Sequence, residues 1–114
     1  MLRHGNVHFV ESETFTIFVE LPQIPGILIV YRRPAERAIN PDKMSLNGRN
    51  LTHIPLLEGE EKVKYLNLYQ NQVAKIENLV SLPNLHYLNL GSNKLTEINN
   101  FQIALVHLKS LILS

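Results

Sequence analysis

An α/β solenoid is the fold class the sequence predicts, with short parallel strands on a concave face, 3₁₀ or irregular turns on a convex face, and about three repeats. Three observations predict it. Of 19 leucines, four lie in residues 1–50 and fifteen in residues 51–114. Laying residues 63–84 over 85–106 pairs Tyr65 with Tyr87, Leu66 with Leu88, Asn67 with Asn89, Leu68 with Leu90, Asn71 with Asn93, Ile76 with Ile98 and Asn78 with Asn100, a period of 22. The repeated x-L-x-L-x runs have the two-residue alternation of a strand buried on one side.

The elements follow in order. Residues 1–42 are a lead-in of a different kind: Phe15, Ile17, Val19 and Leu21 alternate, Ile27 to Tyr31 form a second apolar run, and LPQIPG lies between them. A hairpin docked on the rest and an unstructured lead-in both fit, since Pro22 and Pro25 weaken a ladder and a lone two-stranded hairpin is marginal in water. Arg32-Arg33-Pro34 to Pro41-Asp42 is polar and proline-bounded, as in a linker or a cap on the first repeat. Repeats occupy 43–114, in units 43–62, 63–84, 85–107 and a partial 108–114. Met44, Leu46, Leu51, Ile54, Leu57 and Val63 stand 22 residues before Leu66, Leu68, Val73, Ile76, Leu79 and Leu85, and one extra residue precedes Leu108, Leu111 and Leu113.

The pattern L-x-x-L-x-L-x-x-N-x-L-x-x-I resembles the leucine-rich repeat, whose units run 20–29 residues. The resemblance implies that Asn71 and Asn93 bond backbone groups of neighbouring turns and are structural. Arg49 holds their place in the first unit and has no acceptor, so that unit is expected to be a capping repeat with its turn near solvent. The chain stops at Leu111-Ile112-Leu113-Ser114 without a polar cap, so a fragment or truncated isoform of a longer solenoid is expected.

Alternation assigns three outward columns to the concave face: Lys43, Tyr65, Tyr87 and Ser110; Ser45, Asn67, Asn89 and Ile112; and Asn47, Tyr69, Gly91 and Ser114. Three of the four tyrosines fall there. Tyrosine is enriched at protein hot spots but also suits cross-strand pairing, and partner contact is the favoured reading. The expected protein-binding residues are Lys43, Ser45, Asn47, Tyr65, Asn67, Tyr69, Tyr87 and Asn89.

Other chemistries find no support. A net charge of +1 is poor for neutralising phosphates, so no nucleic-acid partner is expected. With no cysteine there is no disulfide or thiolate zinc site, and the five histidines lack ligand spacing. Glu58-Gly59-Glu60-Glu61 is expected to be a solvated loop. No nucleotide, hydrolase or zinc-protease motif occurs, so no enzyme, cofactor, metal or small-molecule substrate is expected. Residues 15–31 are too short and too broken by Glu20, Pro22, Pro25 and Gly26 to span a membrane, and the polar start predicts no secretory signal. The expected compartment is the cytoplasm.

The convex-side pattern I-x-x-L-x-x-L, seen as Ile76, Leu79, Leu82 and Leu85, resembles the intracellular 22-residue class typified by the leucine-rich regulatory subunit of protein phosphatase 1. DKMSLNGRNLTHIPLLEGEEKVKYLNL (42–68) resembles the first repeats of a subfamily of tubulin polyglutamylase complex subunits, through Asp42, Ser45-Leu46, Leu51-Thr52, Pro55, Gly59-Glu60 and Leu66-Asn67. That resemblance implies a non-catalytic scaffold bound to other subunits of a tubulin-modifying complex, at the cytoskeleton, centrosome or cilium. A phosphatase scaffold and a structural fragment with no autonomous partner are the alternatives.

Overall fold

The computed structural model describes residues 6–9, 17–20, 23, 27–96 and 108–113. The strands and helix in chain order are β1 (Asn6–Phe9), β2 (Ile17–Glu20), β3 (Leu28–Tyr31), α1 (Pro34–Ile39), β4 (Lys43–Ser45), β5 (Leu56–Leu57), β6 (Tyr65–Asn67), β7 (Tyr87–Asn89) and β8 (Ser110–Ile112). They make two four-stranded sheets, ordered β1-β2-β3-β5 and β4-β6-β7-β8.

The second sheet is parallel and keeps the period of the sequence. Lys43 pairs with Tyr65 and Tyr65 with Tyr87, each 22 residues on, and Tyr87 pairs with Ser110 across the one-residue insertion. Inward positions Met44, Leu46, Leu66, Leu68, Leu88 and Leu90 are buried, as are Leu51, Ile54, Leu57, Val63, Val73, Ile76, Leu79, Leu82 and Leu85 on the return paths. No unit holds enough of these to make a core alone; stacking joins them into one. The return paths carry irregular turns, such as those closed by Leu82 N–H to Leu79 O and Leu85 N–H to Leu82 O at 3.0 and 3.1 Å. The strands β4, β6 and β7 each exit through a left-handed residue at the same place in the unit, Gly48, Gln70 and Ser92, with φ of 65°, 58° and 54°.

Asparagine amides bind one unit to the next. Asn71 Oδ1 accepts from Arg49 N–H and Leu51 N–H at 3.0 Å each, while its Nδ2 donates to Leu46 O and Leu68 O at 3.0 Å. Asn93 repeats the arrangement one unit on, accepting from Val73 N–H at 2.9 Å and donating to Leu68 O and Leu90 O at 2.9 and 3.0 Å. One side chain thus meets buried donors and acceptors of two units, which a residue with only one kind of group cannot do.

The lead-in builds the other sheet. β2 and β3 run antiparallel, with Ile17 opposite Tyr31, and β1 adds to the outside of β2. The fourth member is β5, on the return path of the first unit, which pairs parallel to β3 with Val30 opposite Leu57. Phe18 and Val30 enter the same core as the repeat leucines. The repeated units alone give one parallel sheet; the second one forms where the back of the first unit offers β5 to β3.

Two expectations are corrected. Arg32, in the segment read as a polar linker or cap, is buried, and Glu60, in the run read as a solvated loop, has a fully buried side chain. Arg32 Nε and Nη2 donate to the two Glu60 oxygens at 2.9 and 2.6 Å, and Nη1 donates to Asn40 O and Lys43 O at 2.8 and 3.0 Å. The cause lies in the period, since Glu60 stands 22 residues before Leu82 and so occupies a core column. A carboxylate there requires a buried cation, and a guanidinium fits it with two parallel bonds. The turn of the first unit does lie near solvent, with Asn47, Gly48 and Asn50 exposed, while the half-buried Arg49 lays its guanidinium 5.4 Å from the centre of the Phe18 ring. Ile98, Asn100, Ser114 and most of the turn between Leu21 and Gly26 lie outside the described residues.

Two stability predictions follow from these contacts. Asn71→Ala removes the partners of four backbone groups and is expected to cost about 3 kcal/mol in urea unfolding. Asn71→Asp retains the acceptor but sets a carboxylate against two carbonyls, with a comparable expected loss; a cost below about 1 kcal/mol for both would exclude the amide as the link between units. Arg32→Met leaves the buried Glu60 carboxylate with only the 3.6 Å contact to Arg37 Nε and is expected to cost about 3 kcal/mol. The double variant Arg32→Met/Glu60→Leu restores the leucine column and should lose less than Arg32→Met alone, although Asn40 O and Lys43 O forfeit their donor. A double variant less stable than the single would refute this account of the pair.

Candidate functional site

The outward side of β4, β6, β7 and β8 is where the repeat places side chains that the core does not use. Met44, Leu46, Leu66, Leu68, Leu88 and Leu90 anchor β4, β6 and β7 inward and the partly buried Leu111 anchors β8, which leaves the intervening residues in three columns. Parallel, in-register pairing then sets residues 22 apart directly beside each other.

In the first column Tyr65 and Tyr87 stack, with ring centres 4.4 Å apart and planes 6° from parallel. Lys43 Nζ stands 5.5 Å from the centre of the Tyr65 ring, a cation–π contact that extends the row. His86 meets the Tyr87 ring edge-on at 6.2 Å. Tyr65 remains 39% exposed despite the stack.

In the second column Asn67 Oδ1 accepts from Tyr69 N–H and Asn89 Oδ1 from Gly91 N–H, both at 2.9 Å. These local turns engage one lone pair of each amide oxygen and orient the amide nitrogens. Asn67 Nδ2 makes one long bond, 3.4 Å, to Ser45 Oγ, which in turn donates to Asn47 Oδ1 at 2.6 Å. Ile112 ends the column and is 48% exposed. In the third column Asn47 and Tyr69 are exposed and Gly91 is buried.

A groove of about 510 Å³ crosses all four strands, and Lys43, Tyr65, Tyr87, Asn67, Asn89 and Ile112 are among the residues lining it. The structure thus brings Lys43, Ser45, Tyr65, Asn67, Tyr87 and Asn89 to one groove, while Asn47 and Tyr69 lie beyond its lining. Asn40, at the end of α1, also lines it and was missed by column counting. No sequence signal marks Asn40; its place depends on Arg32 holding its carbonyl.

The charge is uneven. Glu60 is paired with Arg32 and Arg37, and Glu77 with His53 and Lys75, all away from this groove. Among the described residues no ion pair engages Lys43, and no group of three or more His, Cys, Asp or Glu could hold a metal. Among the described residues no helix is long and apolar enough to cross a membrane.

Comparison with known proteins bears on this face. Residues 61–103 match the family described as Leucine Rich repeats (2 copies). The chain is 32% identical over 71 residues to leucine-rich repeat-containing protein 49 of Homo sapiens, covering 62% of this chain and 10% of that protein. It is 31% identical over 62 residues to the Mus musculus protein of the same name, covering 54% and 9%. The chain therefore spans about a tenth of the length of these relatives. No solved structure matches it. Residues 61–103, which contain β6, β7 and the stacked tyrosines, are thus leucine-rich repeats, a unit whose stacking creates extended surfaces for protein partners.

Proposed function

We propose that this chain is a non-catalytic protein-interaction scaffold in which the units stack as an α/β solenoid and the face of β4, β6, β7 and β8 is its concave binding surface. The Tyr65–Tyr87 stack carries the reading. Cross-strand aromatic pairs also stabilise sheets, but a pair serving stability alone gains by being covered, whereas Tyr65 keeps 39% of its surface open. Stacked rings are held in one orientation before a partner arrives, so little side-chain freedom is lost on binding. Lys43, Ser45, Asn67 and Asn89 supply polar contacts around them, with Asn47 and Tyr69 at the rim.

Within this reading the chain is a subunit that assembles or targets a tubulin polyglutamylase complex, in the cytoplasm at the microtubule cytoskeleton, centrosome or cilium. The likeness of residues 42–68 to such subunits supports it, together with the identity to leucine-rich repeat-containing protein 49 over 71 residues. The partner is another protein subunit, without nucleic acid, membrane, small-molecule substrate or cofactor.

Affinity capture from ciliated or neuronal lysate tests the assignment. Polyglutamylase subunits are expected with the unaltered chain, and about tenfold less with Tyr65→Ala/Tyr87→Ala, since hot-spot aromatics are worth upward of 1.4 kcal/mol at about this ratio. Recovery of protein phosphatase 1 alone would replace the tubulin assignment by a phosphatase-regulatory one. Capture of neither, with no cooperative unfolding of the chain, would leave a structural segment without an autonomous partner.

A further inference from the structure

The groove has a direction. At the β4 end stands the ammonium of Lys43, which no ion pair engages among the described residues, and at the β8 end stands the exposed Ile112. Between them lies the Tyr65–Tyr87 stack, flanked by Asn67 and Asn89. The two asparagine oxygens each accept one bond, from Tyr69 N–H and Gly91 N–H, which fixes the amide planes and turns their N–H groups outward as donors beside one remaining lone pair on each oxygen. The groove therefore combines a cation at one end, hydrogen-bond donors and an aromatic bed in the middle, and an aliphatic side chain at the other end.

From this arrangement we infer that the face takes an extended protein segment bearing a carboxylate side chain and, about four residues along, an aliphatic one. The spacing follows from geometry: three steps between neighbouring strands amount to about 14 Å, and an extended chain advances about 3.3 Å per residue. The carboxylate meets Lys43, backbone carbonyls accept from Asn67 and Asn89, the segment's backbone lies over the tyrosines, and the aliphatic group covers Ile112. A basic segment would oppose Lys43, and one without an apolar residue would leave Ile112 uncovered. The inference rests on the scaffold reading and adds the chemistry of the partner to it.

Selection of random dodecapeptides displayed on phage against the 114-residue chain tests this. The expected result is enrichment of Asp or Glu followed about four positions later by Leu, Ile or Val, as the strand spacing requires. A synthetic peptide of that sequence should bind about tenfold more weakly to Lys43→Glu and regain its affinity when its own acid is changed to lysine. Ile112→Asp should weaken it comparably. Both substitutions are at exposed positions, and circular dichroism checks that the variants keep the fold. Peptides that need Tyr65 but carry no acid, or that ignore Lys43→Glu, would overturn the partner chemistry while leaving the face as a binding surface. Peptides indifferent to both Tyr65→Ala and Lys43→Glu, or no enrichment at all, would overturn both.

Discussion

The structure depends on one recurring constraint: a chain that turns inward every 22 residues buries backbone groups its own unit cannot satisfy. Asn71 meets it with a single amide that accepts from Arg49 and Leu51 and donates to Leu46 and Leu68. Because those partners belong to two units, the bond that satisfies the turn also sets how the next strand lies beside the last. The in-register pairing of Lys43, Tyr65, Tyr87 and Ser110 is the consequence. So is the row of stacked tyrosines, because side chains that share a column come within stacking distance only when the register holds.

The first unit must solve a different problem, since no unit precedes it. The lead-in supplies the missing neighbour: β3 pairs with β5 and Phe18 lies beneath the Arg49 guanidinium. The Arg32–Glu60 pair ties the two parts at their seam, reaching also to Asn40 O and Lys43 O, the residues from which β4 and one wall of the groove begin. A buried ion pair contributes little net stability over an apolar contact of the same shape, because both charges lose their water. Its distinguishing property is that it tolerates few arrangements. Arg32 can serve four acceptor atoms at once only when β3, α1 and the first return path are all in place.

Much of the candidate site was legible in advance because strand alternation and a strict period together specify which residues become neighbours. Tyr65 beside Tyr87 and Asn67 beside Asn89 need nothing more than counting. Which atoms those residues offer could not be counted. The asparagine oxygens each accept from the backbone N–H two residues on, and this fixes how the amides are turned and where their N–H groups are presented. Asn40 enters the groove from outside the repeat, where periodicity has no reach.

The sequence by itself determined the repeat: its period, its inward leucines, the asparagines that join units and the columns of the outward face, all properties of short-range pattern. Only the tertiary structure decided what covers the first unit, because the contacts between 17–32 and 49–60 join segments that share no period. Glu60 stands at the boundary between the two. Its column, shared with Leu82, already marks it as buried, but its composition is that of a solvated acidic loop. Burial prevails because the backbone geometry of the unit points that position inward whatever residue occupies it, and Arg32, 28 residues earlier in the chain, makes the charge tolerable there.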